Sequence, residues 1–392
     1  MQNFNQKYGF KRSDVTLRNW RQRPYNTWSF QHVNEVVPSA RIPGGTTQKV
    51  STEGSVSDLA QQYITIKSDK VTIETFLTQS ETDVFLIYQK GKPLLNWSAP
   101  HYAQDAPHII FSISKSFTGI LAGQLEDLGL LNTSKPVEHY LPEAISSGFS
   151  GCTVQQLLDM QASVGFSEEY LNQDGDYARY RRSTAWNPIK QGQVQEGLCD
   201  FLCSLPTGTA PHGEKFHYLS PASDLLGLIL EQVSGSSYAE LMSKFLWRPI
   251  EAQNDAFVTV DAYGAPRGAG GLSVQAQDLL RLGETLRQNG QHNNKQIISE
   301  RWIHDMKTSG SKEAWAKGNF AEFLPNACYR NKWYQLENPY KAFMAIGIHG
   351  QWLYVIPEKE VTIVKLSSQA LPQDDELDTK CLHFFEQISH IL

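Results

Sequence analysis

A chain of 392 residues, 40% of them hydrophobic, is long enough for one large domain with an insertion, or for two domains, around a sizeable core. Its 35 basic and 41 acidic residues leave a net charge of −6 and no basic tract, which argues against nucleic acid or an anionic membrane as the main partner and for a small molecule. No run reaches membrane-spanning length and residues 1–7 lack the apolar core of a secretion signal, so a cytoplasmic protein is expected.

Residues 1–50 are polar and mixed and read as an extension packed on the body, with Trp28 and Phe30 covering part of it. Residues 56–77 are weakly helical in pattern. Residues 83–88 read as a buried strand that turns at Lys90-Gly91-Lys92 into a second strand over 93–97, an antiparallel hairpin. Phe117, Ile120, Leu121, Leu125 and Leu128, three and four apart, predict a buried helix that stops at Gly129. Thr153 is placed to cap a short helix reaching Met160.

The stretch 163–217 is rich in Tyr, Arg, Gly and Asp, and long loops carrying aromatics such as Tyr170, Tyr177, Tyr180 and Trp186 often line a binding site. Helices follow at 222–233, ending at Gly235, and at 238–247. Gly268, Gly270 and Gly271 bring the backbone close to something, and 276–286 is a further amphipathic helix. Strands at 351–356 and 361–367 meet across Pro357, and a last helix carries Leu377, Cys381, Phe384 and Ile388 on one side. The sum is an α/β (α+β) fold, an antiparallel sheet flanked by helices. Residues 51–135 and 267–392 would form the α/β domain, and 136–266 a mainly helical inserted domain.

The chemistry concentrates in Ser112-Ile113-Ser114-Lys115, where the predicted helix begins. Side chains at i and i+3 share a face, so the Lys115 amine can reach the Ser112 hydroxyl and, once burial leaves it neutral, take its proton. The Ser112 N–H at the same helix start is suited to bind the oxyanion of a tetrahedral intermediate. Ser309-Gly310-Ser311-Lys312 repeats the spacing without an apolar helix after it and reads as a solvated loop.

Proton delivery to a leaving atom calls for a further group, and a tyrosine beside a lysine can serve. Tyr170-Leu171-Asn172, Tyr218-Leu219-Ser220 and Tyr329-Arg330-Asn331 all fit the tripeptide; only Tyr218 directly precedes an apolar helix, the rigid mount such a group needs. Near the other end, glycines flank Ile348-His349, so the Ile348 N–H is expected to be a second oxyanion donor and His349 a structural or substrate-facing residue. No Gly-x-Ser-x-Gly elbow occurs. Eleven histidines form no metal-binding pattern and five cysteines no paired spacing beyond Cys199 and Cys203; no metal and no cofactor is expected, and the thiols are expected buried and free.

In their order and separation, Ser112-Ile113-Ser114-Lys115, Tyr218-Leu219-Ser220 and Ile348-His349-Gly350 resemble the three motifs of the penicillin-binding-protein and class C β-lactamase superfamily. Most of the chain, including Leu157-Leu158-Asp159-Met160-Gln161 and Val364-Lys365-Leu366-Ser367-Ser368, more narrowly resembles the 6-aminohexanoate-dimer hydrolases, which are also carboxylesterases. The resemblance implies Ser112 as nucleophile, Lys115 and Tyr218 as the proton-handling pair and the Ser112 and Ile348 amides as the oxyanion hole. It implies Tyr170 and Trp186 on the substrate side.

Arg181 and Ala269 stand where the efficient dimer hydrolase has an acidic residue and an amide near the substrate, which argues against efficient turnover of that dimer. Ala345 and Ile346 stand where a β-lactamase carries a lysine, which argues against strong β-lactamase activity. The expected protein is a serine hydrolase acting through an acyl-enzyme on small carboxylic esters, with activity on linear amides such as 6-aminohexanoate dimer, and a homodimer. The competing expectations are a catalytically silent ligand-binding protein of the same fold and a weak β-lactamase.

Overall fold

The apolar runs at the two ends of the chain meet in one sheet because neither can bury itself alone. The computed structural model describes residues 3–45 and 58–392. In chain order the elements used below are β1 (Ser39–Ile42), β2 (Thr82–Gln89), β3 (Lys92–Ser98), β4 (His108–Ile109), α1 (Ile113–Asp127), α2 (Asp176–Ser183), α3 (Ser220–Ser234), β5 (Ala256–Thr259), β6 (Leu272–Val274), α4 (Ala276–Arg287), β7 (Cys328–Arg330), β8 (Trp333–Gln335), β9 (Phe343–Gly347), β10 (Gln351–Ile356), β11 (Val361–Ser367) and α5 (Asp375–Ile391).

The seven-stranded antiparallel sheet runs β7-β8-β9-β10-β11-β2-β3, so the early hairpin joins the late strands through β11 against β2, with Ile363 opposite Ile87 and Val364 opposite Leu86. Alternate side chains of a strand point to opposite faces, and both faces here are covered. On one face Phe85, Trp352 and Tyr354 pack against Phe384 and Phe385 of α5. On the other, Leu353 and Thr362 press so closely on α4 that a Cβ at Gly283 would lie 2.5 Å from the Thr362 methyl. Burial on both sides is why these strands read as unbroken apolar runs rather than as alternation.

A second antiparallel sheet, β1-β5-β6-β4, holds the backbone that leads into Ser112: Ile109 pairs with Ser273, and the Ile110 N–H donates to the Leu272 carbonyl at 2.9 Å. The early segment is stitched to the same backbone, since the Ile109 N–H donates to the Phe30 carbonyl at 2.8 Å. Trp20, Trp28, Phe30 and their neighbours form an apolar cluster completed by Ile109, Phe111 and Trp186.

Three expectations need correction. Residues 58–79 are not one helix: after a 3-10 turn at Asp58–Gln61, Tyr63–Ile66 and Asp69–Thr72 form an antiparallel ribbon, and only Ile73–Gln79 is helical, capped by the Thr72 hydroxyl. Strict alternation of exposed Tyr63 and Thr65 with buried Ile64 and Ile66 is a strand period, and β-branched side chains favour it; residues 56 and 57 lie outside the described part. Leu128, assigned to the buried stripe of α1, is 56% exposed, because it lies past the last turn that the body covers. Cys152, Cys328 and Cys381 are buried free thiols, but Cys199 and Cys203, also free, are only half-buried on a short surface helix.

Candidate active site

The turn before α1 is where local strain and tertiary packing meet. Phe111 takes a left-handed backbone conformation, φ +43°, costly for an aromatic residue and sustained only when the surroundings hold it. They do: its ring is locked between Phe30, Trp186 and His349, with centroids 5.0, 6.0 and 5.2 Å away. The sharp turn makes Ser112 the N-cap residue of α1 and puts it on the wall of a cavity of about 700 Å³.

One turn on, Lys115 is 1% exposed and reaches back as the spacing requires. Its Nζ donates to Ser112 Oγ at 2.8 Å and to the Ala269 carbonyl at 2.7 Å. Burial lowers the pKa of this amine to about 7; the Glu168 carboxylate opposes the change and the Arg267 charge adds to it. Nζ also lies 5.0 Å from the centre of the Tyr218 ring.

Tyr218 is buried against Phe320, stacked at 4.9 Å, and its N–H donates to Asn319 Oδ1 at 3.1 Å just ahead of α3. Burial, followed by the Glu168 charge, pushes its hydroxyl well above the ordinary phenol value, so it is a phenol and not a phenolate at neutral pH. Of the two other tyrosines in matching tripeptides, Tyr329 is a core residue packed on Phe216 and Tyr334, while Tyr170 lines the Ser112 cavity. The second Ser-x-x-Lys is a surface feature: the Ser311 hydroxyl caps a short helix, Lys312–Ala316, and Lys312 pairs with Glu337 at 3.0 Å in solvent.

Across the cavity, β9 ends at Gly347, where a Cβ would stand 2.5 Å from the Ile110 carbonyl oxygen. Only glycine lets β9 approach the Ser112 turn so closely. Ile348 therefore shares the cavity wall with Ser112, and neither of their N–H groups donates to a backbone carbonyl among the described residues. His349, also left-handed at φ +61°, is buried with Nδ1 2.7 Å from the Gln369 carbonyl, and burial lowers its pKa to about 3. A neutral ring held by a carbonyl is a strut for the Ile348 turn.

The remaining substrate-side expectations divide. Trp186 and Arg181 line a second cavity of about 510 Å³ that touches the first at Tyr170 and Ile348. Ala269 lines neither cavity: it is buried behind Lys115 and acts through its backbone, with the carbonyl receiving the amine and the N–H donating to Asp224 Oδ1 at 2.7 Å.

Sequence reasoning missed the charged frame behind this peptide. Asp224, fully buried on α3, pairs with Arg267 and accepts from the Tyr180 hydroxyl at 2.5 Å. Burial opposes the Arg267 charge, yet the Asp224 carboxylate holds that guanidinium above its ordinary value. Glu168 was missed too: it accepts from the Tyr170 hydroxyl at 3.0 Å and from the Ser220 N–H, at the start of α3, at 2.6 Å. An aspartate inside the apolar run 222–230 was the available signal for the first; nothing local marks the second.

A strand-flanked helix with a serine hydroxyl at its cap and a buried amine on its first turn points to a class, and sequence comparison agrees. Residues 72–382 match the family model described as Beta-lactamase, and the chain belongs to that family. It is a hydrolase: it is 32% identical over 360 residues, 92% of this chain and 90% of the relative, to the 6-aminohexanoate-dimer hydrolase of Paenarthrobacter ureafaciens. It is 23% identical to the β-lactamase of Escherichia coli strain K12 over 75% of this chain and 85% of that protein.

Among solved structures, a Bacillus anthracis protein described as a candidate 6-aminohexanoate-dimer hydrolase superposes with a TM-score of 0.88 at 25% identity, covering 97% of this chain and 98% of that one. A family VIII carboxylesterase shares the fold, with a TM-score of 0.58 at 15% identity over 80% of this chain and 95% of that one. No described helix is long and apolar enough to cross a membrane.

Proposed function

We infer that this hydrolase works through an acyl-enzyme on Ser112, acting on small carboxylic esters and more slowly on linear amides such as 6-aminohexanoate dimer. The observation that carries this reading is the buried Lys115 amine, 2.8 Å from the Ser112 hydroxyl and brought by its surroundings to a pKa of about 7. An amine poised there accepts the serine proton without needing a histidine.

Ser112 Oγ attacks the substrate carbonyl carbon as its proton moves to Lys115. The oxyanion lies between the Ser112 and Ile348 N–H groups. Tyr218 gives its phenol proton to the leaving oxygen or nitrogen and regains one from Lys115, the C–O or C–N bond breaks, and the acyl group stays on Ser112. Water then attacks the acyl carbon, giving its proton to the same pair; the bond to Ser112 Oγ breaks, the carboxylic acid leaves and the Ser112 oxygen takes that proton back. Esters leave with little protonation whereas amides need a complete transfer, so a site whose acid is a raised phenol favours esters.

A panel of nitrophenyl butyrate, 6-aminohexanoate dimer and a cephalosporin tests the reading. Turnover is expected to fall in that order, with the cephalosporin slowest because Ala345 and Ile346 offer no cation to its carboxylate. A chain that hydrolyses the cephalosporin faster than the ester contradicts it.

A further inference from the structure

The second cavity is lined by six cationic residues, Arg18, Arg21, Arg23, Arg181, Arg182 and Lys190, and by no aspartate or glutamate among the described residues, in a protein whose net charge is −6. Two of the six cations are matched at the rim, Arg23 by Glu81 and Lys190 by Asp174 at 2.7 Å. The two innermost are not. Arg181, only 7% exposed, gives one Nη2 bond to the Tyr170 carbonyl at 2.5 Å and lies over the Tyr177 ring. Arg21 donates to the Trp186 carbonyl at 3.0 Å and to the Asn187 side-chain oxygen, and lies over Trp20. Every one of these partners is neutral.

Burying like charges beside each other without a counter-charge is unfavourable, and folded proteins keep such an arrangement where something else supplies the anion. Burial, followed by the Arg181 charge, lowers the Arg21 guanidinium well below its ordinary value, the mark of a pair short of one negative group. The planar donor forks of two arginines suit a carboxylate. Tyr170 and Ile348 line both cavities, so the arginine cavity opens beside the carbonyl that Ser112 would attack. Tyr218, the leaving-group acid, lines only the Ser112 cavity, which assigns the leaving group to that side and the acyl chain to the arginine side.

We propose that Arg21 and Arg181 form an anion subsite for the far end of the acyl chain, so that preferred substrates are monoesters or monoamides of dicarboxylic acids. The assignment to the acyl side rests on the acyl-enzyme reading above; the anion subsite itself does not.

The test compares nitrophenyl esters with one leaving group and three acyl ends: adipyl, ending in carboxylate, hexanoyl, ending in methyl, and 6-aminohexanoyl, ending in ammonium. The adipyl ester is expected to exceed the hexanoyl ester in kcat/KM by about tenfold or more, with the ammonium-ended ester slowest. Arg181→Asp should invert the order of the charged pair, and Arg21→Gln should shrink the adipyl-to-hexanoyl ratio without relying on the Tyr170 anchor. Equal rates for all three esters overturn the subsite and leave ester hydrolysis standing. If no ester is cleaved, the acyl-enzyme reading on esters falls, and calorimetry with adipate alone decides the subsite: binding that Arg21→Gln weakens supports it, and no binding, or binding that Arg21→Gln leaves unchanged, overturns it.

Discussion

Replacing Lys115 by methionine is expected to lower kcat on a nitrophenyl ester by about 10³-fold or more while leaving the protein folded. Methionine fills much of the same buried volume and carries no charge to desolvate, so the α1 core keeps its packing. What is lost is the acceptor 2.8 Å from Ser112 Oγ. The pH profile separates this loss from mere disturbance. Burial penalises the ammonium, so the Lys115 amine loses its proton near pH 7 instead of near its ordinary value. Only the neutral amine is a base, and kcat/KM in the parent should therefore rise with pH through about 7 and level off. In Lys115→Met the residual rate should lose that limb; a limb that persists unchanged assigns it to another group.

Asp224→Asn should cost about 3–5 kcal/mol of stability, read as a shift of the denaturant midpoint at constant slope. The carboxylate is fully buried between the Arg267 guanidinium, the Tyr180 hydroxyl and the Ala269 N–H. An amide of the same shape cannot neutralise the guanidinium, and its NH₂ must face a donor whichever way it turns. The cost comes from the buried charge left behind, so adding Arg267→Met to Asp224→Asn should recover part of it. A double variant no more stable than the single one would show that the pair contributes through something other than charge.

The helix carrying Ser112 and Lys115 was legible because its information is local: an apolar stripe fixes the rod, and i and i+3 fix which side chains meet. The same holds for the β2–β3 hairpin and for α3 ending at left-handed Gly235. Tyr218 was legible only through its neighbour, the rigid α3 that begins two residues later. Glu168, Asp224, Arg267 and Arg21 were not, because each acquires meaning from a partner far along the chain, as Arg267 does from Asp224. Period misled within 56–77, where the alternation of the ribbon at 63–72 passed for a weak helix. The early segment looked peripheral from its polarity, yet Phe30 and Trp20 hold Phe111 and Trp186 beside the Ser112 turn. Aromatic residues spaced irregularly through polar sequence carry no period to read.

Brief exposure of the protein to nitrophenyl butyrate, followed by acid quench and peptide mass spectrometry, puts the acyl-enzyme to the most direct trial. One butyryl group per chain is expected on the peptide that holds Ser112, formed with a matching burst of nitrophenol and absent from Ser112→Ala. Steady turnover with no adduct in the parent, or an adduct on a different residue, would contradict it.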